Sequence, residues 1–155
     1  LASIPPGEVN TNNIAKNMNV AHQTIFNYLS ILESVGLIQM IYPFEGGNQY
    51  LRKPKKIFLH NTTLLYTLQQ LQAGDICKGT LQELYFIQAL RDASTKVYYS
   101  KQGDYRTENK IFEVGGKNKT AKQIANVDLP AALVKDDILT ASNRVIPLLF
   151  LGFIY

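Results

Sequence analysis

Three acidic residues and a lysine in the second half of the chain have the types and spacing that phosphodiester chemistry requires. Glu83 lies in an apolar helical pattern, Asp104 follows a candidate strand, and Glu113 interrupts the apolar residues of the next strand. A carboxylate in an apolar strand is costly to bury unless it is paired or functional. An Asp and a Glu on adjacent strands, with Lys117 nearby, can hold Mg²⁺ and position water for phosphodiester cleavage. The alternative is an ion-pair cluster of the same residues with no chemistry.

The first sixty residues carry a second set of candidate contacts, suited to DNA. In a helix-turn-helix, side chains near the start of the second helix face the base edges in the major groove. Here those side chains are His22, Gln23, Thr24 and Asn27, and Gln and Asn can form two hydrogen bonds with adenine. The side chains expected to meet phosphates are Lys16, Arg52, Lys53, Lys55 and Lys56. The second helix is poor in Lys and Arg, so docking onto a protein partner is the alternative.

The periodicity of the apolar residues predicts the elements that position both sets. Helical spacing predicts helices over 11–18 and 21–34, and Gly36 is placed to end the second one. A strand over 37–42, turn residues and a return strand over 49–52 predict a hairpin, and a short strand follows at 57–59. This order predicts a winged helix-turn-helix domain over residues 1–60.

The remaining residues predict a second unit, an α/β domain over 61–155. Two helical patterns, from about Asn61 to Leu71 and from Thr80 to Arg91, come first. The predicted elements after them are strands at 97–99, 111–114, 131–134 and 145–150, with a helix at 120–125. The chain as a whole is therefore predicted to have a mixed α/β fold.

Composition excludes several classes of protein and favours a cytoplasmic one. The net charge of +4 is weak support for a nucleic-acid partner. No apolar run approaches the roughly 20 residues of a membrane helix, and no secretory signal is present, so we expect no membrane partner. The single cysteine, Cys77, excludes an internal disulfide, and His22 and His60 are too far apart to suggest a metal site. The P-loop pattern GxxxxGK[ST] is absent, as are GxSxG and HExxH.

The order of segments resembles the C-terminal portion of a family of prokaryotic AAA-like P-loop ATPases. The most specific matching stretches are "KIFLHNTTLLYTL" and "FEVGGKNKTAKQI", and "IAKNMNVAHQTIFNYLSILESVGLIQMI" adds the helix-turn-helix. The resemblance implies a winged helix followed by a domain of unknown function related to the PD-(D/E)XK nuclease fold. It also implies an ATPase domain upstream, absent from this chain, which would bind ATP and Mg²⁺. A start at Leu1 rather than Met fits a fragment.

The resemblance also assigns roles to individual residues. It places Glu83 on the family's helix glutamate, Asp104 on the strand aspartate and Glu113 on the (D/E) of (D/E)xK, so the three should lie close together. Gln123 falls where related nucleases carry a polar helix residue. The departure is Gly115, which stands where the family has its lysine. A lysine there would share a strand face with Glu113.

From these features we expect a DNA-binding, regulatory module that binds double-stranded DNA and works with the upstream ATPase domain. The missing lysine leads us to expect no nuclease activity and no cofactor in this part of the protein. Two alternatives stay open: a magnesium-dependent nuclease with Asp104 and Glu113 as metal ligands, and a protein-docking module. The position of Lys117 relative to the two carboxylates distinguishes the first alternative from the leading interpretation.

Overall fold

The structure combines helices and strands, which confirms the predicted mixed fold class. The computed structural model describes residues 10–44, 53–72 and 75–154, and of Gln72 it describes the backbone alone. Within these ranges, no helix combines the length and the apolar composition that crossing a membrane requires.

Two helices joined by a four-residue turn come first in the described chain. Helix α1 spans Thr11–Asn17 and helix α2 spans His22–Ser34, which confirms both predicted helices to within one residue. Asn10 begins α1, because its Oδ1 accepts hydrogen bonds from the backbone N–H groups of the second and third residues that follow it, at 3.0 and 3.2 Å. Gly36 follows α2 with a φ of 72°, a conformation that suits glycine at the end of a helix.

A two-stranded antiparallel sheet follows. Strand β1 (Ile38–Ile41) pairs with strand β2 (Lys56–Leu59), and Ile38 lies opposite Leu59. The strand predicted at 57–59 is thereby confirmed, and it is the partner of β1. The return strand predicted at 49–52, which includes Arg52, lies outside the described residues.

Helices α3 (Thr62–Gln72) and α4 (Lys78–Asp92) lead into a five-stranded sheet and confirm the two predicted helices. The strands are β3 (Tyr98–Tyr99), β4 (Tyr105–Arg106), β5 (Ile111–Gly115), β6 (Ala131–Lys135) and β7 (Val145–Pro147). They lie in chain order across the sheet; β3, β4 and β5 are antiparallel neighbours, whereas β5, β6 and β7 are parallel.

Three elements differ from the prediction. Strand β4 was not predicted, because its two residues, Tyr105 and Arg106, include only one apolar side chain, whereas the two tyrosines of β3 follow Val97 in an apolar run. The helix predicted at 120–125 is a single 3₁₀ segment, Ala121–Ile124. The strand predicted at 145–150 ends at Pro147 and continues as the 3₁₀ segment Leu148–Phe153, whose three-residue period buries two leucines, Leu148 and Leu151.

The two faces of the five-stranded sheet have different neighbours. Helix α4 covers one face, where the ring of Phe86 lies 5.4 Å from that of Tyr105 and 5.1 Å from that of Phe112. Glu113 follows Phe112 in β5 and therefore points to the opposite face, because side chains alternate along a strand. On that opposite face Ile111 packs with Ile124 of the 3₁₀ segment.

One buried cluster runs across the predicted boundary near residue 60. It includes Ile25 and Leu29 of α2, Phe58 of β2, and Leu84 and Phe86 of α4. The division into units 1–60 and 61–155 stays a prediction, but the two parts share a hydrophobic core.

Candidate functional site: two carboxylates that share one lysine

The backbone fixes Asp104 next to Glu113. The N–H of Asp104 donates to the carbonyl of Phe112 at 2.9 Å, and Asp104 Oδ2 accepts from the N–H of Val114 at 2.9 Å. Gly103 makes this approach feasible: it has a φ of 78°, and a Cβ at this position would lie 2.8 Å from the carbonyl oxygen of Phe112. Asp104 is therefore hydrogen-bonded to the two residues of β5 that flank Glu113, Phe112 and Val114.

A lysine completes the site, and it is Lys119 rather than Lys117. Lys119 Nζ lies 2.8 Å from Glu113 Oε1 and 3.3 Å from Asp104 Oδ2. Lys117 is exposed to solvent. Lys117 was the candidate named from the sequence, with its position left open, and the lysine that lies beside the two carboxylates is Lys119.

Gly115 and Lys119 depend on each other. The chain turns back after β5, and the N–H of Lys119 donates to the carbonyl of Gly116 at 2.9 Å. The aliphatic stem of Lys119 then crosses directly over Gly115, where a Cβ would lie 2.9 Å from Lys119 Cδ. A lysine at position 115 would compete with the Lys119 stem for the same space. Gly115 therefore leaves room for Lys119, the lysine of the following turn, to lie beside Glu113.

Glu113 is buried and incompletely paired. It is 1% exposed, and Oε2 has no hydrogen-bond partner among the described residues. Its contact with Lys119 is an ion pair by distance, but it is poorly aligned as a hydrogen bond. Burial raises the pKa of Glu113, and the nearby Lys119 ammonium only partly opposes that rise. Burial also disfavours the charged form of Lys119, but Glu113 and Asp104 outweigh it and raise the lysine pKa.

This environment predicts a pH dependence of stability that Glu113→Gln removes. A carboxyl whose pKa is raised on folding stabilises the folded state at low pH, and that contribution is lost as the pH rises through the folded-state pKa. We expect the free energy of unfolding of the wild type to fall relative to Glu113→Gln as the pH rises from about 4, near the unfolded-state pKa, through the raised folded-state pKa, by about 1.4 kcal/mol for each unit of pKa difference between the folded and unfolded states. Urea unfolding of both proteins across this range measures the difference. A difference that is constant with pH would contradict the raised pKa.

Glu83 does not join this pair. Its Oε2 accepts from Lys56 Nζ at 2.9 Å and from the Tyr105 hydroxyl at 2.5 Å, and Tyr105 lies on the α4 side of the sheet. Within the described ranges, no three His, Cys, Asp or Glu residues form a group that could hold a metal ion. The expected trio of acidic residues is therefore reduced to the pair Asp104 and Glu113, which could serve as metal ligands only together with other donors.

Lys56 corrects another expectation. It was predicted to contact DNA phosphates, but it is 7% exposed, and its ammonium binds Glu83 and lies 3.3 Å from the Tyr105 hydroxyl. The difference arises because all four residues of β2 are buried, so this strand has no solvent-facing side. Gln123, the other candidate, lies on the Ala121–Ile124 segment with an exposed side chain.

The remaining candidate DNA contacts lie on or near α2. Gln23 and Asn27 are exposed and joined by a hydrogen bond of 3.0 Å from Gln23 Nε2 to Asn27 Oδ1. His22 is half-buried, and its Nε2 lies 2.7 Å from the hydroxyl of Thr11. Of the others, Lys16 and Lys53 are exposed, whereas Thr24 and Lys55 are half-buried.

Sequence reasoning missed two members of these clusters, Lys119 and Tyr105. The only signal for Lys119 in the sequence was the Gly115-Gly116 pair, because two glycines allow the chain to turn tightly just before this lysine. No local pattern pointed to Tyr105, because its role depends on a contact with α4.

The comparisons with known proteins assign no activity. No curated protein and no solved structure matches the chain. Residues 1–75, which contain α1, α2, both strands of the small sheet and α3, are similar to one family, described as a domain of unknown function (DUF8612).

Proposed function

We propose that this chain is a DNA-binding, regulatory module in which a winged helix-turn-helix unit is followed by a nuclease-like α/β unit. The sequence resemblance supports placing it after the ATPase domain of an AAA-like protein, and the gene's upstream sequence should then encode a P-loop. Helix α2 is the proposed recognition helix, and the antiparallel pair β1 and β2 forms the base of the wing.

The observation that supports DNA binding is the polar stripe on α2. Gln23, Asn27, Ser30 and Ser34 recur at spacings of three and four residues, so they share one side of the helix. All four are exposed, whereas Ile25 on the inward side is buried. A helix with this outward face presents neutral hydrogen-bonding groups of the kind that contact base edges.

Introducing negative charge on this stripe tests the proposal. We expect the wild type to bind a short DNA duplex weakly at low salt, and Gln23→Glu with Asn27→Asp to weaken binding roughly tenfold, because two carboxylates would face phosphates and base edges. The pair Gln70→Glu with Asn109→Asp makes the same chemical change at exposed positions on α3 and on the turn after β4, and it is the matched control. Fluorescence anisotropy with a labelled duplex measures all three proteins.

Absence of binding by the wild type at low salt would contradict the proposal and favour protein docking. Equal weakening by the two pairs of substitutions would show that net charge, rather than the α2 stripe, controls binding.

A second function, metal-dependent phosphodiester cleavage, is favoured by the position of Lys119. The expectation of inactivity rested on the missing lysine at position 115, and Lys119 removes that ground because its ammonium lies beside Asp104 and Glu113. Mg²⁺ usually binds proteins through one or two carboxylates together with substrate phosphates. Asp104 and Glu113 offer such oxygens, and Glu113 Oε2 is unpaired among the described residues, so the residues fit the ion.

Each group has a distinct role in this second proposal. Asp104 and Glu113 would hold the metal ion. The ion would polarise the phosphate and lower the pKa of a water bound to it. Lys119 carries positive charge that can stabilise the negative charge developing on the phosphate. Burial of Glu113 limits access of bulk water to the pair, which strengthens these interactions.

A further inference from the structure

Exposed lysines surround the site on two neighbouring loops. Lys101 lies in the turn between β3 and β4, and Lys117 and Lys122 lie between β5 and β6. All three side chains are exposed, in contrast to the half-buried Lys119 between Lys117 and Lys122. We call the surface defined by Lys101, Lys117 and Lys122 the lysine surface.

Positive charge exceeds negative charge in the loops of the lysine surface. The loop between β5 and β6, residues 116–130, contains three lysines and one carboxylate, the exposed Asp128. In the turn before β4 the only carboxylate is Asp104, which is bound by the N–H of Val114 and by Lys119. Glu113 is buried beneath the same lysine. Asp104 and Glu113 are thus paired inward, and the exposed charged residues of the two loops, three lysines and Asp128, leave a net positive charge.

A tight contact holds the two loops together. A Cβ on Gly103 would lie 2.9 Å from Ile124 Cγ2, so the turn carrying Lys101 packs directly on the 3₁₀ segment carrying Lys122. Ile124 is 1% exposed and anchors that segment in the core behind the sheet. The lysines therefore project from a supported surface rather than from independent loops.

The described part of residues 1–60, which we call the helix unit, has two exposed lysines, Lys16 and Lys53, and the half-buried Lys55. Helices α1 and α2 together contain one basic residue, Lys16, and α2 contains the acidic Glu33. Lys56, which the sequence suggested as a phosphate contact, is buried against Glu83. Since counterion release from phosphates dominates the affinity of proteins for DNA, we expect the two exposed lysines of the helix unit to contribute less affinity than the three of the lysine surface.

We propose that the lysine surface is the principal contact for the DNA backbone, with phosphates bound by Lys101, Lys117 and Lys122 beside Asp104 and Glu113. This inference rests on the proposed DNA-binding function and assigns the phosphate contacts to the second unit instead of the wing. Helix α2 then contributes base-edge contacts, and the lysines contribute most of the salt-dependent affinity.

Three double charge reversals test the assignment, each with the same change in net charge. Lys117→Glu with Lys122→Glu changes the lysine surface, and Lys16→Glu with Lys53→Glu changes the helix unit. The third pair, Lys96→Glu with Arg144→Glu, alters exposed cations elsewhere in the chain. Binding of a labelled duplex is measured across a series of salt concentrations, with circular dichroism to verify folding.

We expect the lysine-surface pair to weaken binding roughly tenfold and to lower the slope of log affinity against log salt by about 2, because each lost phosphate contact is worth about 0.9. The other two pairs should show smaller and similar losses. If the wild type binds and the lysine-surface pair behaves like the Lys96 and Arg144 pair, this inference is overturned while DNA binding stands. If the wild type does not bind, the proposed function itself fails.

Discussion

Replacing Lys56 with methionine is expected to lower the free energy of unfolding by about 3 kcal/mol, because breaking a buried ion pair leaves an uncompensated charge. The side chains of Lys56 and Glu83 are 9% and 12% exposed, and their charged atoms lie 2.9 Å apart. Methionine fills a similar volume, so the loss reflects the unpaired Glu83 rather than a cavity. The unpaired Glu83 carboxylate would keep only the Tyr105 hydroxyl of its two partners described above. Burial and the charge of Glu83 raise the pKa of Tyr105 well above its usual value, so this hydroxyl stays neutral.

Urea unfolding at neutral pH measures this loss, and two controls interpret it. Adding Glu83→Leu to Lys56→Met removes the unpaired charge and should restore much of the stability, since apolar replacements of buried ion pairs are often tolerated. Lys78→Met breaks an ion pair of 2.6 Å with Asp137, but these side chains are 62% and 53% exposed, so stability should hardly change. Equal losses for Lys56→Met and Lys78→Met would contradict the importance of burial.

The ion pair of Lys56 and Glu83 also crosses the predicted boundary near residue 60. Lys56 belongs to β2 in the first predicted unit, whereas Glu83 and Tyr105 belong to the second. Arg91 of α4 makes a similar connection, donating to the Gln39 side chain at 3.2 Å and to the carbonyl of His60 at 3.1 Å. A chain cut near residue 60 would separate these partners and divide the shared core.

The helices were predictable from the sequence because each buries one side. Burial of one side places apolar residues at every third or fourth position. Strand β5 was predictable for a related reason, as Glu113 stood out in an otherwise apolar run. Strand β4 was not predictable, because Tyr105 and Arg106 form no apolar run. The 3₁₀ segment after Pro147 was not predictable either, because an unbroken apolar run fits several structures.

The site was predictable only in part, because some of its residues follow from local sequence and others depend on the path of a turn or on packing between distant elements. Asp104 and Glu113 were found from residue type and strand order, which are local properties of the sequence. The choice of Lys119 over Lys117 depends on where the turn at Gly116 directs the chain. The separation of Glu83 from the pair depends on packing, since Lys56 of a distant strand binds it on the other face of the sheet.

Under the second proposed function, Lys119→Met is expected to reduce metal-dependent DNA cleavage by about 100-fold or more, the range found when one stabilising donor is removed from an active site. Asp104→Asn and Glu113→Gln should cause comparable losses, because each removes a charged oxygen ligand for the metal ion. Lys117→Met is the matched control, since Lys117 is exposed and Lys119 is the residue beside the carboxylates. Nicking of a supercoiled plasmid with Mg²⁺ or Mn²⁺ measures all of these proteins.

Moving the lysine to position 115 gives the sharper test of its role. Lys119→Ala removes Cγ and Cδ, which would lie 3.1 and 2.9 Å from a Cβ at position 115, and leaves Cβ at 3.3 Å, so Gly115→Lys gains most of the space that the wild-type stem occupies. Position 115 is two residues after Glu113 in β5, so the new side chain points to the same face of the sheet. Gly115 does not have a positive φ, so the backbone accepts lysine without strain. We expect the double variant to recover part of the cleavage that Lys119→Ala loses, because an ammonium again lies beside the carboxylates. No metal-dependent cleavage by the wild type, or cleavage that Lys119→Met leaves intact, would reject this function and leave the site as a structural ion pair beneath the lysine surface.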